Sequence, residues 1–273
     1  MVRCSVSTMF FHEYPLETIF SSAELATLDT VELWLETPFF WLRGMPEAEL
    51  LSVLHAHPGL LPISVHAPVL DLNPCSINPR VAAISVDYTI EAVALAGRCG
   101  ADVVTVHPGR RTARRPPSPD DHRRFARLIG SLREVARDAR VRISIENMER
   151  TVNHLLTSPP AVRRVLDDEE WLWFTLDVSH AMGRSLEEVR DFIELCGDRI
   201  ANVHLSRASD GMMHLSLSGH PDGRFVLELL RDHGYRGPVT LEIEDLRLDH
   251  AYTIEEKVAL IASETAFVRS VLD

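Results

Sequence analysis

Glu146, Asp177, His204 and Glu242 each close a short apolar run. The runs are Val141-Arg-Ile-Ser-Ile-Glu146, Phe174-Thr-Leu-Asp177, Ile200-Ala-Asn-Val-His204 and Val239-Thr-Leu-Glu242. Two more runs, Ile63-Ser-Val-His66 and Val103-Val-Thr-Val-His107, end in histidine. Three carboxylates and one imidazole brought together suit a divalent ion. Oxygen-rich sets favour Mn2+ or Mg2+, added imidazoles pull towards Zn2+, and Co2+ suits the same mixture. Without a cation, three crowded carboxylates would repel one another. Glu244 lies two residues after Glu242 on the same strand face, so either could be the ligand. Glu242 is preferred because it is nearer the apolar core of its run.

His66 and His107, on adjacent strands, could hold a second ion bridged by Glu146, or bind substrate. His180, three residues past Asp177 in an expected loop, could touch a substrate oxygen, move a proton or help hold a third ion. His214, further along the chain, could join it. Arg110, Arg111, Arg114 and Arg115 follow His107 directly, and guanidinium forks match phosphate geometry. They point to an anionic substrate or form a solvated loop. Trp34, Phe39 and Trp41 could wall the pocket or simply pack.

These residues need a scaffold that gathers strand ends. The apolar runs, with further strands over Val2–Thr8 and Thr30–Leu35, make eight strands. Helices are expected between them over residues 15–26, 46–56, 80–99, 119–139, 159–166, 186–196, 225–233 and 253–272. Gly100, Gly197 and Gly234 should close three of these. A long loop is expected after the seventh strand. Alternating strands and helices specify an α/β protein with a parallel sheet. Eight units favour a single-domain (β/α)8 TIM barrel spanning residues 1–273, whose active site lies at the C-terminal strand ends. No GxGxxG or phosphate loop follows the first strand.

The chain has 273 residues and a net charge of −12, which argues against broad contact with nucleic acid. Its four cysteines, Cys4, Cys75, Cys99 and Cys196, show no CxxC pairing, so neither a disulfide framework nor a cysteine zinc site is implied. No leader pattern or membrane span is evident, and a cytoplasmic setting is expected. A homodimer is the common assembly for such a protein.

At these residues the chain resembles the xylose isomerase-like TIM-barrel superfamily, which includes sugar isomerases, epimerases and endonuclease IV. The matching motifs are His66-Ala-Pro, His107-Pro-Gly, Glu146-Asn, Asp177-Val-Ser-His180, Val203-His204-Leu, His214-Leu-Ser-Leu and Gly237-Pro-Val-Thr-Leu-Glu242. Resemblance to the ketose 3-epimerases implies one divalent ion on Glu146, Asp177, His204 and Glu242. The two glutamates would also act as acid and base, and His180 would contact substrate. Resemblance to endonuclease IV implies three zincs, adding His66, His107, His180 and His214 as ligands. There Met212 stands where that enzyme has an aspartate, and Asp210 is off register.

The expectation is therefore a metal-dependent isomerase or epimerase acting on a sugar or sugar phosphate, with one to three ions per chain. Catalysis falls to Glu146, Glu242 and His180, and substrate binding to His66, His107, His180, Arg110 and Arg111. The alternatives are a multinuclear zinc phosphodiesterase and a barrel that binds a ligand without turnover.

Overall fold

Runs rich in Val, Ile and Leu become strands because branched side chains suit a pleated surface covered on both faces. In the computed structural model they are β1 (Cys4–Ser7), β2 (Thr30–Trp34), β3 (Pro62–His66), β4 (Val103–Val106), β5 (Arg142–Glu146), β6 (Trp173–Asp177), β7 (Ile200–Leu205), the short β8 (Arg207–Ser209) and β9 (Met212–Leu215), and β10 (Val239–Leu241). All but β8 and β9 pair in parallel and close into an eight-stranded barrel in the order β1-β10-β7-β6-β5-β4-β3-β2. The structure describes residues 2–12, 14–36, 40, 44, 46–60, 62–217 and 219–273. Phe39 and Trp41 lie outside the described residues. Trp34 is buried and packs beside the His12 ring, 5.6 Å away.

The outer ring comprises α1 (Leu16–Leu25), α2 (Glu47–Ala56), α3 (Pro79–Cys99), α4 (Pro119–Ala139), α5 (Pro159–Asp168), then, after the short buried α6 (Val178–Met182) at the end of β6, α7 (Leu186–Cys196), α8 (Pro221–Asp232) and α9 (Ile254–Leu272). Local chemistry sets their ends. Asn78 caps α3 by accepting from the Arg80 N–H, and Gly100 ends it with φ of 74°. Ser118 with Asp121, and Thr253 with Glu256, form capping boxes on α4 and α9. Among the described residues, no helix is long and apolar enough to cross a membrane.

Strand alternation sorts the side chains into two environments. Val31, Leu33, Val65, Ile143, Ile145, Phe174, Leu176, Val203 and Leu205 are buried in the apolar core. Phe174 of β6 stacks on Phe192 of α7 with centroids 5.7 Å apart, and full burial of such a ring is worth roughly 1.5–3 kcal/mol. The alternate positions are small and polar: Ser64, Thr105, Ser144, Thr175, Asn202 and Thr240 are all fully buried. They bond to one another between neighbouring strands inside the lumen, with Thr175 donating to Ser144 at 2.7 Å and Thr240 to Asn202 at 3.0 Å. The lumen is thus a hydrogen-bonded layer beneath the C-terminal strand ends.

Several expectations need correction. The stretch after the seventh strand is not simply a loop: β8 and β9 form an antiparallel hairpin turned at Asp210 (φ 52°) and Gly211 (φ 78°). Asp-Gly is a strong tight-turn signal, but flanks of three and four residues hid it. The helix expected from Phe225 begins at Pro221, where His220 accepts from the Asp222 N–H. The helix from Pro159 runs on to Asp168. Gly197 does not adopt a left-handed cap (φ −59°) but starts a 3-10 turn. His180 lies not in a loop but within α6, a five-residue helix capped by Asp177.

Candidate metal centre

The barrel places six of the expected residues at or just beyond the C-terminal ends of its strands. Glu146 and Asp177 end β5 and β6, His204 lies in β7, and Asp177 pairs with His204 in register. Glu242 follows β10 directly, its N–H donating to Leu205 O at 3.2 Å. One ligand-type atom from each of these four lies within 4.8 Å of the others, and all four residues are buried. Glu244 is not in this group. It lines a different cavity, together with His214, His220 and Tyr252.

Glu146 is the hub. Its Oε1 is 3.2 Å from His204 Nδ1, while its Oε2 is 2.8 Å from His107 Nε2 and 3.4 Å from His66 Nε2. His66 Nδ1 donates to Ala67 O at 2.9 Å, which turns its other nitrogen towards Glu146. His66, His107 and Glu146 form a second group of ligand-type atoms within 4.8 Å, and Asp177, His180 and His214 a third. Asp177 thus occupies the carboxylate place in the third group, and Asp210 remains exposed at the hairpin turn.

Asn147 clamps the end of β6: its Oδ1 accepts from Asp177 N at 2.8 Å and its Nδ2 donates to Asp177 O at 2.9 Å. Asp177 Oδ1 accepts from His180 N at 2.6 Å, fixing the turn that brings His180 inward. His180 Nδ1 donates to Asn147 O at 2.9 Å, leaving Nε2 free, 3.8 Å from Glu149 Oε2. His214 has a left-handed backbone (φ 58°), uncommon for a residue with a side chain, and its carbonyl accepts from Glu244 N at 3.0 Å. Its Nδ1 lies 3.6 Å from Glu242 Oε2.

The charges do not balance. Asp177 Oδ2 and Glu242 Oε2 are buried and accept no hydrogen bond, although His204 Nδ1 lies 3.2 Å from Glu242 Oε2. Burial, together with the nearby Glu242 and Glu146 carboxylates, raises the Asp177 carboxyl well above its ordinary range, against the pull of His180. Burial would also raise Glu146 and Glu242. The charges and hydrogen bonds of His107 and His204 hold Glu146 well below its ordinary value, and the charges of His204 and His214 lower Glu242. Burial would lower His66 and His180, yet the surrounding carboxylates push both up to about 9. Burial does lower His107 and His214. Unpaired buried carboxylate oxygens beside a proton-hungry Asp177 mark a place where a cation would relieve repulsion. Glu146, Asp177, His204 and Glu242 fit a divalent ion in donor type and spacing.

A cavity of about 330 Å3 opens beside the cluster, lined by residues 67–74 and by His107, Arg110, Glu149, His154, His180 and His214. Among the described residues Arg110 is the only arginine in that lining, and its backbone is held by the Asn73 amide. Arg111 is absent from the lining and donates instead to Pro116 O at 2.8 Å. Arg114 and Arg115 are exposed and line no part of it.

Sequence reasoning missed Glu32, Glu36, Glu149 and His154. Glu32 carried a signal: within Val31-Glu-Leu33 it faces away from its apolar neighbours, and in a closed barrel that face is buried too. Glu36 is buried and accepts from Val69 N at 2.6 Å and from Leu70 N, holding one cavity wall. Burial raises its carboxyl to about 7. Glu149 and His154, 3.3 Å apart, lie in an irregular segment with no periodicity to reveal them.

Fold and site together define a (β/α)8 barrel with a candidate divalent-ion centre at its mouth. The family model of the xylose isomerase-like TIM barrel matches residues 21–269, and the chain belongs to that family. An uncharacterized protein of Methanocaldococcus jannaschii is 30% identical over 275 residues, covering 100% of both chains. The fold is shared with a D-tagatose 3-epimerase-like protein (24% identity, TM-score 0.74, covering 99% of this chain and 100% of that one). It is shared also with an L-ribulose 3-epimerase (19% identity, TM-score 0.77, covering 100% and 95%). A 3-keto-D-glucoside 4-epimerase from E. coli has it too (15% identity, TM-score 0.77, covering 99% and 100%).

Proposed function

We propose that the protein is a divalent-metal-dependent isomerase or epimerase of a sugar or sugar phosphate. The observation that carries this reading is the buried group of Glu146, Asp177, His204 and Glu242 with its two unsatisfied carboxylate oxygens. A cavity of about 330 Å3 lies beside the group, walled from it by His107, His180 and His214, with room for one small polyhydroxy compound. Sugar epimerases with the same fold, such as the L-ribulose 3-epimerase, support the substrate class. Zn2+ or Mn2+ suits the donor set best, with Mg2+ or Co2+ as substitutes.

The ion, when bound, would polarise the carbonyl and acidify the adjacent C–H. Glu146 and Glu242 take the proton-transfer roles: both are buried carboxylates held low by histidine neighbours, and each touches a residue of the cavity wall, His107 and His214 respectively. His180, with Nδ1 fixed on Asn147 O, presents Nε2 to a substrate hydroxyl. His107 lines the same cavity and offers a further polar contact, with buried His66 behind it, and Arg110 would receive an anionic end of the substrate. Incubating Mn2+- or Zn2+-loaded protein with a panel of ketoses and ketose phosphates in D2O tests the reading. Solvent deuterium should appear at the carbon next to the carbonyl, and no exchange with any member would sink it.

A second reading rests on the three overlapping ligand groups, which suit a multinuclear zinc phosphodiesterase. Cleavage of an abasic-site duplex by zinc-loaded protein would favour it over the first.

A further inference from the structure

We infer that Glu32, outside the proposed ligand set, positions His204 by deciding which imidazole nitrogen carries the proton. This rests on the divalent-ion site proposed above. β2 and β7 are not neighbours in the barrel, so the contact between these residues crosses the lumen. Glu32 is fully buried. Its Oε2 accepts from Ser64 Oγ at 2.7 Å, Asn202 Nδ2 at 3.1 Å and His204 Nε2 at 3.1 Å. The Asn202 amide is oriented by Thr240, whose hydroxyl donates to Asn202 Oδ1 at 3.0 Å. Ser64 and Asn202 therefore both offer protons to the carboxylate.

A carboxylate crowded by donors can only accept, so His204 Nε2 must hold its hydrogen. Once an ion displaces the second proton, the imidazole is neutral with one N–H, which leaves Nδ1 with a free lone pair. Nδ1 is the atom that lies 3.2 Å from both Glu146 Oε1 and Glu242 Oε2, where an ion would sit. A ligand nitrogen must be unprotonated, so the tautomer that Glu32 selects is the one that can bind. A carboxylate accepting from the distal N–H also makes the ligand nitrogen more basic.

The test compares wild type, Glu32→Gln and Glu32→Asp. Zn2+ affinity is measured by chelator competition, and the histidine protons by long-range 1H–15N spectra. The zinc-loaded wild type should show His204 protonated at Nε2 only. Glu32→Gln, whose amide can donate to Nε2, should lose about 10- to 100-fold in Zn2+ affinity, and Glu32→Asp should recover part of it. A folded Glu32→Gln protein binding Zn2+ within about twofold of wild type would overturn the assignment, as would a wild-type His204 lacking the Nε2 proton. If Glu32→Gln does not fold, the wild-type spectrum decides. If the wild type takes up no Zn2+, the ion-site reading fails separately. A hydrogen-bonded Nε2–H in the metal-free spectrum would then still uphold the Glu32–His204 coupling, and its absence would overturn it.

Discussion

The two flanks of Glu146 use similar residue types and differ in whether their charges are satisfied. On one side, Asp177, His204 and Glu242 surround a space with two buried carboxylate oxygens that accept nothing. On the other, His66 and His107 both point Nε2 at Glu146 Oε2, and His66 Nδ1 is spent on Ala67 O. The first flank carries a deficit that a cation would fill. The second is closed by its own imidazole–carboxylate contacts, with the His107 side chain 22% exposed towards the cavity. Ligand-type residues are thus a weak guide to an ion, and unsatisfied buried oxygens a stronger one.

The sharpest way to break this contrast is to remove the shared hub. Glu146→Gln should lower kcat by about 10²- to 10⁴-fold even where metal is retained, read from steady-state rates and metal content together. Next, Asp177→Asn should abolish stoichiometric binding of one ion, whereas His107→Gln should leave one ion per chain, measured by elemental mass spectrometry. Equal losses from both would erase the difference between the flanks.

The pH dependence sharpens it further. His66 and His180 have metal-free values near 9, above their unfolded value. Their contribution to the stability of metal-free protein is complete below about pH 6.5 and is lost as pH rises through about 9. Bound metal competes with protons at His204 and the carboxylates, so metal affinity should fall as pH falls. Thermal melts of metal-free protein across pH 6–10, set beside metal titrations, should show these opposite slopes. The smallest effect is expected at the cavity edge. Arg110→Gln should raise KM about tenfold for phosphorylated substrates and leave neutral sugars unchanged, since a hydrogen bond to a charged group is worth ~1.5–3 kcal/mol.

Much of this was legible from residue order. Eight short runs at βα spacing specified the barrel, and six of them ended in the residues now gathered around and including Glu146. What escaped was irregular or two-sided. The β8–β9 hairpin has strands too short for alternation to declare itself. His180 was placed near Asp177, but only the Asp177 cap turns the chain into α6 and brings the imidazole inward. Glu149 and His154 met Arg110 at one cavity through segments without period.

The sequence by itself determined which residues stand at strand ends, because a strand's length and alternation are local properties of its side chains. Tertiary structure alone decided which of them face one another. Closing the barrel set Glu32 of β2 against His204 of β7, 172 residues apart. It also left Asp177 and Glu242 with oxygens that no neighbour satisfies. Burial and charge balance depend on everything that surrounds a group in space, and pairing eight strands into a ring is what supplies those surroundings.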